Sequence, residues 1–510
     1  MKYLLGIDIG TYSSKGVLVT EAGDIVGSTS VQHTLDIPRP GWAEHDAEVV
    51  WWDGFVRLTR NLLLFSGLLP SQIAAIGISA ISPAILPIDE HGRPLCQAIL
   101  YGIDTRAVRE VQDLQKVIDQ DLSMSRLGIQ LSSQSAAPKV EWIRRYAPEV
   151  WARTRQIVNG SGFILNRLTG ENTIDVYSAS AYSPFLDLER GEWNQNSFNY
   201  IAPREYLPLI TWPYRIAGRV THQGARLSAL AEGTIVITGT ADAAAEAISA
   251  GVSTPGDLMV MYGSSVFFIL RTQQMLRTPH FWSAPFLEPN TYVLAGGMST
   301  GGSLTRWFRD RFAPLELQVE EQGGASAYSA LEKIAASSPP GANGLVMLPY
   351  FSGERTPILD PDAKGVIFGL GLHHTRADIY RALLESIGYG ILHNIEFLKL
   401  KGETPRRIFA IGGGTLNSLL VQIVSDIANV EQYIPQQQVG ASYGDAFLAG
   451  IGCGLLSSPS QASEWFKSKH SVKPDPETQK RYSGYYKIYR ELYTRNSSLM
   501  KQLTLNLQEN

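Results

Sequence analysis

The chain opens on a strand that ends in chemistry. Leu4-Leu5-Gly6-Ile7-Asp8-Ile9-Gly10-Thr11 is apolar up to a carboxylate, then turns through a glycine and a hydroxyl. Apolar runs at 15–20 and 25–31 follow after short polar turns, which predicts an antiparallel meander. Gly10 lets the backbone approach a ligand closely, and Thr11 and Ser13 offer hydroxyl and N–H donors to a phosphate. Asp8 cannot bind a phosphate itself, so the role left to it is to hold a hydrated Mg²⁺ that neutralises one. Taken alone, an ordinary hairpin with a polar turn has the same signature. Its echo is what constrains the fold. Residues 233–242 are again a strand ending in Gly239, Thr240 and a carboxylate, Asp242. A small-residue helix follows at 243–251, then strand-like pieces at 257–263 and 266–271 joined by Ser264-Ser265. A plan restated after about 230 residues predicts two domains of like design facing each other across a cleft.

Length agrees. A single core stops growing near ~250–300 residues, and this chain has 510, divided here into residues 1–238 and 239–510. The net charge is −4 with both signs interspersed, which argues against nucleic acid or an anionic membrane as the partner. The two cysteines, Cys96 and Cys453, make neither a metal spacing nor a disulfide framework and fit a reducing compartment. Met1-Lys2-Tyr3 runs straight into the first strand without a secretory pattern, and no apolar run reaches the ~18 residues of a membrane span. The expectation is a cytoplasmic globular protein.

Between the two acid-bearing turns, residues 47–64, 106–120, 138–147 and 161–169 read as helices, and 73–81 as a buried strand. In the second half, 376–400 reads as a long amphipathic helix, 408–411 as a strand, and 416–429 and 444–452 as helices. A charged helix at 476–505 is expected to pack back across the first domain.

Asp242 is the candidate catalytic residue. Its neighbours Gly239, Ala241, Ala243 and Ala244 leave space for a substrate hydroxyl, whose proton the carboxylate can accept as that oxygen attacks phosphorus. An Asp at that place also serves as an ordinary helix cap. Gly263-Ser264-Ser265 can present N–H groups to a phosphate, though the same residues make a simple turn. Gly412-Gly413-Gly414, between a strand and a helix containing Asn417, lets a flat ring lie against bare backbone. It is neither a Walker A nor a Rossmann fingerprint. Gly440-Ala441-Ser442-Tyr443-Gly444 opens a further small-residue helix suited to packing under the same nucleotide. On the substrate side, Trp42 with Glu44 and Asp46 suits a polyol, and Asp104 and Arg106 can hydrogen-bond hydroxyls or form a structural salt bridge. The loop 350–357 is long enough to move.

These motifs together resemble the FGGY family of carbohydrate kinases, within the actin-like ATPase superfamily. The resemblance spans nearly the whole chain. It rests on residues 6–11, Gly41-Trp42-Ala43-Glu44-His45-Asp46, Arg167-Leu168-Thr169-Gly170-Glu171, Gly239-Thr240-Ala241-Asp242, Gly263-Ser264-Ser265, Phe351-Ser352-Gly353-Glu354-Arg355-Thr356-Pro357 and Gly412-Gly413-Gly414. It implies an α/β fold of two RNase H-like domains flanking a central cleft, and ATP and Mg²⁺ bound there. It also implies Asp242 as base, and domain closure on sugar binding. On the same footing Asp8 is the metal ligand, and Gly10, Thr11, Ser13, Lys15, Gly263, Ser264, Gly412, Gly413, Gly414 and Asn417 face the nucleotide. Among the branches the chain is most similar to xylulokinases, which implies a D-ketopentose phosphorylated at its terminal hydroxyl, with a homodimer as the family-level assembly. Three departures bear on the sugar. The usual Gln-Met-His reads Ile81-Ser82-Pro83, so a sugar-binding histidine is replaced by Pro83, and Ser82 and Pro83 are left as the residues expected at the sugar. The usual Trp-x-Asp-x-Arg reads Tyr101-Gly102-Ile103-Asp104-Thr105-Arg106, one residue longer, and the aspartate of the usual Asp-Tyr-Leu becomes Gly162. Ribulose, gluconate and glycerol-like substrates therefore stay open. A nucleotide-driven clamp, the other chemistry of the superfamily, would not need a carboxylate at 242 beside sugar-binding groups.

Overall fold

Two short polar turns fold the opening segment into β1 (Tyr3–Ile9), β2 (Ser13–Thr20) and β3 (Ile25–Gln32), paired antiparallel in sequence order. The computed structural model describes residues 2–121, 124, 130–194, 197–437, 439–465 and 467–508. β1 is buried along nearly its whole length, whereas β3 alternates toward solvent, as befits the centre and the edge of a sheet. On its other side β1 runs parallel to the strand Ile73–Ala80, which runs parallel to Ile235–Ile237, which in turn pairs antiparallel with Ile216–Arg219. A two-residue strand, Thr240–Ala241, rejoins Ile73–Ala80 at its end.

The second sheet repeats this plan. Asp257–Tyr262, Val266–Thr272 and Tyr292–Met298 make the antiparallel meander. Arg407–Ile411 and Gln432–Pro435 add in parallel, and Ser468–Val472 closes the edge antiparallel. The second sheet differs by one extra edge strand, Trp282–Pro285. A repeated plan is thus present, but not in the register expected: residues 233–242, read as the start of the second copy, close the first sheet, and the second meander begins at Asp257.

Two helices do what the sequence did not foretell. The helix Pro476–Gln508 packs on the second half, not across the first. Tyr482, Tyr486, Tyr489 and Tyr493 form an aromatic stripe along it at helical spacing, and the long helix Arg376–Leu400 supplies the partner face. Arg381 Nη2 donates to Tyr482 Oη at 2.6 Å and Tyr486 Oη to Glu396 at 2.6 Å, fixing the pairing. The helix Ala441–Gly452 lies instead against the first sheet. A Cβ on Gly6 would fall 1.8 Å from the Ser442 carbonyl oxygen, and one on Gly77 would fall 2.1 Å from that of Asp445. Its small residues serve close packing, with Gly444 seated over the Ala245 carbonyl in the same way. Among the described residues no helix is long and apolar enough to cross a membrane.

Candidate active site

Both acid-bearing turns end at the same place. Gly239, at φ 75°, lies so close to the Ile78 carbonyl that a Cβ would be 2.0 Å from its oxygen, so the chain hugs the central strand before it turns. It then pairs briefly with Ser79 and Ala80 and enters the helix Asp242–Ala250. Asp242 therefore emerges at the carboxyl ends of parallel strands, where open α/β sheets bind ligands. The Ala243 N–H donates to Asp242 Oδ1 at 2.8 Å, but the N-cap position is Ala241, so Asp242 is the first helical residue facing the cleft rather than the cap. Burial, and after it the charge of Asp8, push its pKa up to about 8. A carboxylate held that high is matched to accepting a proton near neutral pH.

Asp8, at the end of β1, is opposite Lys15 in the hairpin register and level with Ser79 in the parallel one. Burial raises its pKa to about 6. Two further acids join these, and both escaped the sequence reading. Glu246 is one helical turn beyond Asp242, and burial lifts its pKa to about 7. Asp445, on the helix Ala441–Gly452, is fully buried, with Oδ2 2.7 Å from Ser79 Oγ. Glu246 and Lys15 meet over Gly440, where a Cβ would be 3.7 Å from both Glu246 carboxylate oxygens and from Lys15 Nζ. The i, i+4 spacing from Asp242 could have disclosed Glu246; only the tertiary fold brings in Asp445.

A cleft of about 930 Å³ opens beside Asp242. Ser82 and Pro83 line it, as do Tyr177, Trp282 and Arg355. Tyr177 stands edge-on to Trp282, with ring centroids 4.9 Å apart, and its buried hydroxyl has no protein partner. Arg355 donates to the Met298 carbonyl at 2.8 Å, while Glu354 accepts from the Ser299 and Arg355 N–H groups at 2.6 and 2.8 Å. The loop 350–357 is therefore pinned to the end of the strand Tyr292–Met298 rather than free.

The glycine turns divide by what constrains them. Gly10 donates its N–H to the Ser13 carbonyl at 3.1 Å and closes the first turn. Thr11 Oγ1 is 3.1 Å from Tyr101 Oη, and the Thr11 carbonyl meets His45 Nε2 at 3.1 Å. Trp51 Nε1 donates to His45 Nδ1, so Nε2 carries the imidazole proton and donates to Thr11. The Gly263 and Ser264 carbonyls accept from the N–H groups of Gly301, Gly302 and Ser303, which ties this turn to the start of the helix Gly302–Phe312. Gly412, at φ 88°, and Gly414 are both forced by Tyr262, but a Cβ on Gly413 would meet open space. Gly413 is thus the bare, accessible step of the three. Asn417 accepts the Leu420 N–H at 2.9 Å and caps the helix Ser418–Ala428.

Trp42, Asp104 and Arg106, expected on the sugar wall, do not line this cleft. They are engaged with one another. Arg106 is sandwiched by Asp104 and Glu44 at 2.7 and 2.8 Å, with its guanidinium 3.9 Å over the Trp42 ring. Asp104 also accepts the Ala43 N–H at 2.7 Å, which fixes the loop 41–46. The salt-bridge reading of these residues describes their geometry.

Comparison with known proteins places these features in context. The model of the FGGY family of carbohydrate kinases, N-terminal domain, matches residues 3–249, and its C-terminal domain matches residues 258–453. Xylulose kinase of Lactococcus lactis is 27% identical over 512 residues, covering 99% of each chain. Gluconokinase of Bacillus licheniformis is 26% identical, covering 94% of this chain and 93% of its own. The crystal structure of xylulose kinase from Rhodospirillum rubrum superposes with a TM-score of 0.89 at 29% identity, covering 98% of this chain and all of its own.

Proposed function

This chain belongs to the FGGY family of carbohydrate kinases and is an ATP-dependent sugar kinase; within that family we propose that Asp242 is its general base and a ketopentose of the xylulose type its substrate. The observation that carries the reading is Asp242 itself, a carboxylate at the carboxyl ends of the first sheet's parallel strands, poised near neutrality and opening on the cleft. A terminal hydroxyl placed there hands its proton to Asp242 as its oxygen attacks the γ-phosphorus and the bond to ADP breaks. Phosphoryl transfer of this kind asks the protein mainly for positioning and for neutralising charge. Lys15, Thr11 and Ser13 from the first turn, and Gly263 and Ser264 from the second, are the groups we assign to the phosphates, with Gly413 under the base. Tyr177 and Ser82 are hydroxyls on the sugar side of the cleft.

The acid cluster also fits Mg²⁺. Asp8 and Glu246 face Lys15 as their cation, Asp242 and Asp445 feel the charge of Asp8, and Asp445 Oδ1 is buried without a partner. Among the described residues no three candidate ligands form a ready cage, and Mg²⁺ in kinases is held through one or two carboxylates with waters and substrate phosphates. Asp8 is the carboxylate we assign to it. When bound, the ion shields phosphoryl charge.

The gluconokinase relative and the presence of Arg355 in the cleft favour a second reading, an aldonate substrate whose carboxylate meets that guanidinium. ADP release against ketoses, aldoses, polyols and gluconate decides between them, with Asp242→Ala as control. A clear preference for a ketopentose supports the first reading, and preference for gluconate replaces it with the second. Sugar-independent turnover that survives Asp242→Ala would overturn both.

A further inference from the structure

One carboxylate in the acid cluster has no part in the transfer just described. Asp445 projects from the helix Ala441–Gly452, whose backbone is seated directly on Gly77. Its Oδ2 is 2.7 Å from Ser79 Oγ, and the same hydroxyl is 3.0 Å from Asp8 Oδ1. A serine hydroxyl carries one proton and cannot donate to two carboxylates at once. Both contacts are hydrogen bonds only if one of the carboxyls brings a proton of its own. Lys15 stands opposite Asp8 and favours it as the ionised partner, whereas Asp445 keeps its Oδ1 buried and unpartnered, so the proton resides on Asp445. Hydrogen-bond direction then runs one way: Asp445 O–H donates to Ser79 Oγ, and Ser79 O–H donates to Asp8, which is left as the ionised end.

We propose that Asp445 is a positioning residue that acts as a neutral donor through Ser79 to hold the Asp8 carboxylate in the orientation that receives the divalent cation. This rests on the assignment of Asp8 to Mg²⁺. It makes the cation site a joint product of the two halves of the chain, since β1 supplies the ligand and a helix from the second half orients it. Outer partners of metal ligands typically govern affinity by 10–100-fold.

The test uses Mn²⁺ as probe, with free Mn²⁺ followed by electron paramagnetic resonance in titrations of the whole enzyme with ADP present. Asp445→Ala and Ser79→Ala should each weaken Mn²⁺ binding by roughly 10-fold or more. Asp445→Asn, whose Nδ2–H replaces the acid proton, should stay within about 2-fold of the unaltered enzyme. Circular-dichroism melts identify a variant that fails to fold, and Ser79→Ala probes the same link from the strand side if Asp445→Ala does not fold. Unchanged binding in both alanine variants overturns the proposal, as does a loss in Asp445→Asn equal to that in Asp445→Ala, which would make the negative charge itself the requirement. Asp8→Asn separates the two levels. If it binds Mn²⁺ normally, the Asp8 assignment falls and this inference with it; if it loses Mn²⁺ while the alanine variants keep it, only the role of Asp445 is lost.

Discussion

Two clusters of buried charge in this molecule are built from the same residue types and end in opposite states. Around Trp42, the carboxylates of Asp104 and Glu44 meet Arg106, and Asp104 also attracts the buried Lys139. Acids and bases balance there, each carboxylate meeting a cation. At the junction of the sheets, Asp8, Asp242, Glu246 and Asp445 gather with Lys15 acting on Asp8 and Glu246, and burial raises every one of the four. A matched cluster has nothing left to bind and holds a loop in place. An unmatched one stores an electrostatic deficit that a cation, or a proton taken from substrate, relieves. Compensation, rather than the presence of acids, separates scaffold from site.

The comparison can be broken most forcefully at Asp242. Asp242→Ala should lower the rate of phosphoryl transfer by roughly 10²–10⁴ while leaving the fold intact, read by steady-state kinetics beside a thermal melt. Next in size is the converse on the matched side. Arg106→Leu leaves the buried Asp104 without its guanidinium and beside the partly buried Glu44, and should cost about 3–5 kcal/mol in urea unfolding, with the turnover of the molecules that remain folded nearly unchanged. A smaller effect lies in pH. The folded pKa of Asp242, about 8, is above its ordinary value of 3.8, so the carboxyl supports the fold fully below about pH 4 and that support is lost as pH rises through 8. Asp242→Asn should therefore raise the melting temperature at pH 8.5 by roughly 2 °C and change little at pH 4. An equal shift at both values would show that the deficit is not electrostatic. The smallest effect is expected from Glu246→Gln. Its charge contributes to the raised pKa of Asp242, so its removal should move the acid limb of kcat/KM to lower pH by a fraction of a unit.

The sequence carried the architecture further than the site. Glycine and polar turns mark both meanders locally, and the apolar strands between are too regular to hide, so the repeated sheet was legible; its register was not, because the strand that ends at Asp242 resembles a new start although it pairs with Ile73–Ala80. Asp242 was legible for the same reason, since strand, small residues and helix start are contiguous. Asp104 and Arg106 look like a ligand pair in one dimension because a carboxylate does not announce which guanidinium it will meet. Asp445 lacked any local signal at all. Its contacts with Ser79 and, through it, Asp8 join positions from opposite ends of the chain. The helix at 476–508 misled for a related reason: its charge was visible, but the tyrosine stripe that chose its partner depends on where the helix Arg376–Leu400 presents its face.

The seating of the helix Ala441–Gly452 on Gly6 and Gly77 also has a bearing on how the protein is made. The strands it covers are synthesised long before the helix itself. Domains generally fold as they emerge, but here the first sheet lacks its own cover for that face. A nascent chain halted before residue 441 presents β1 and the strand Ile73–Ala80 with their glycines bare, a smooth apolar surface of the kind chaperones retain.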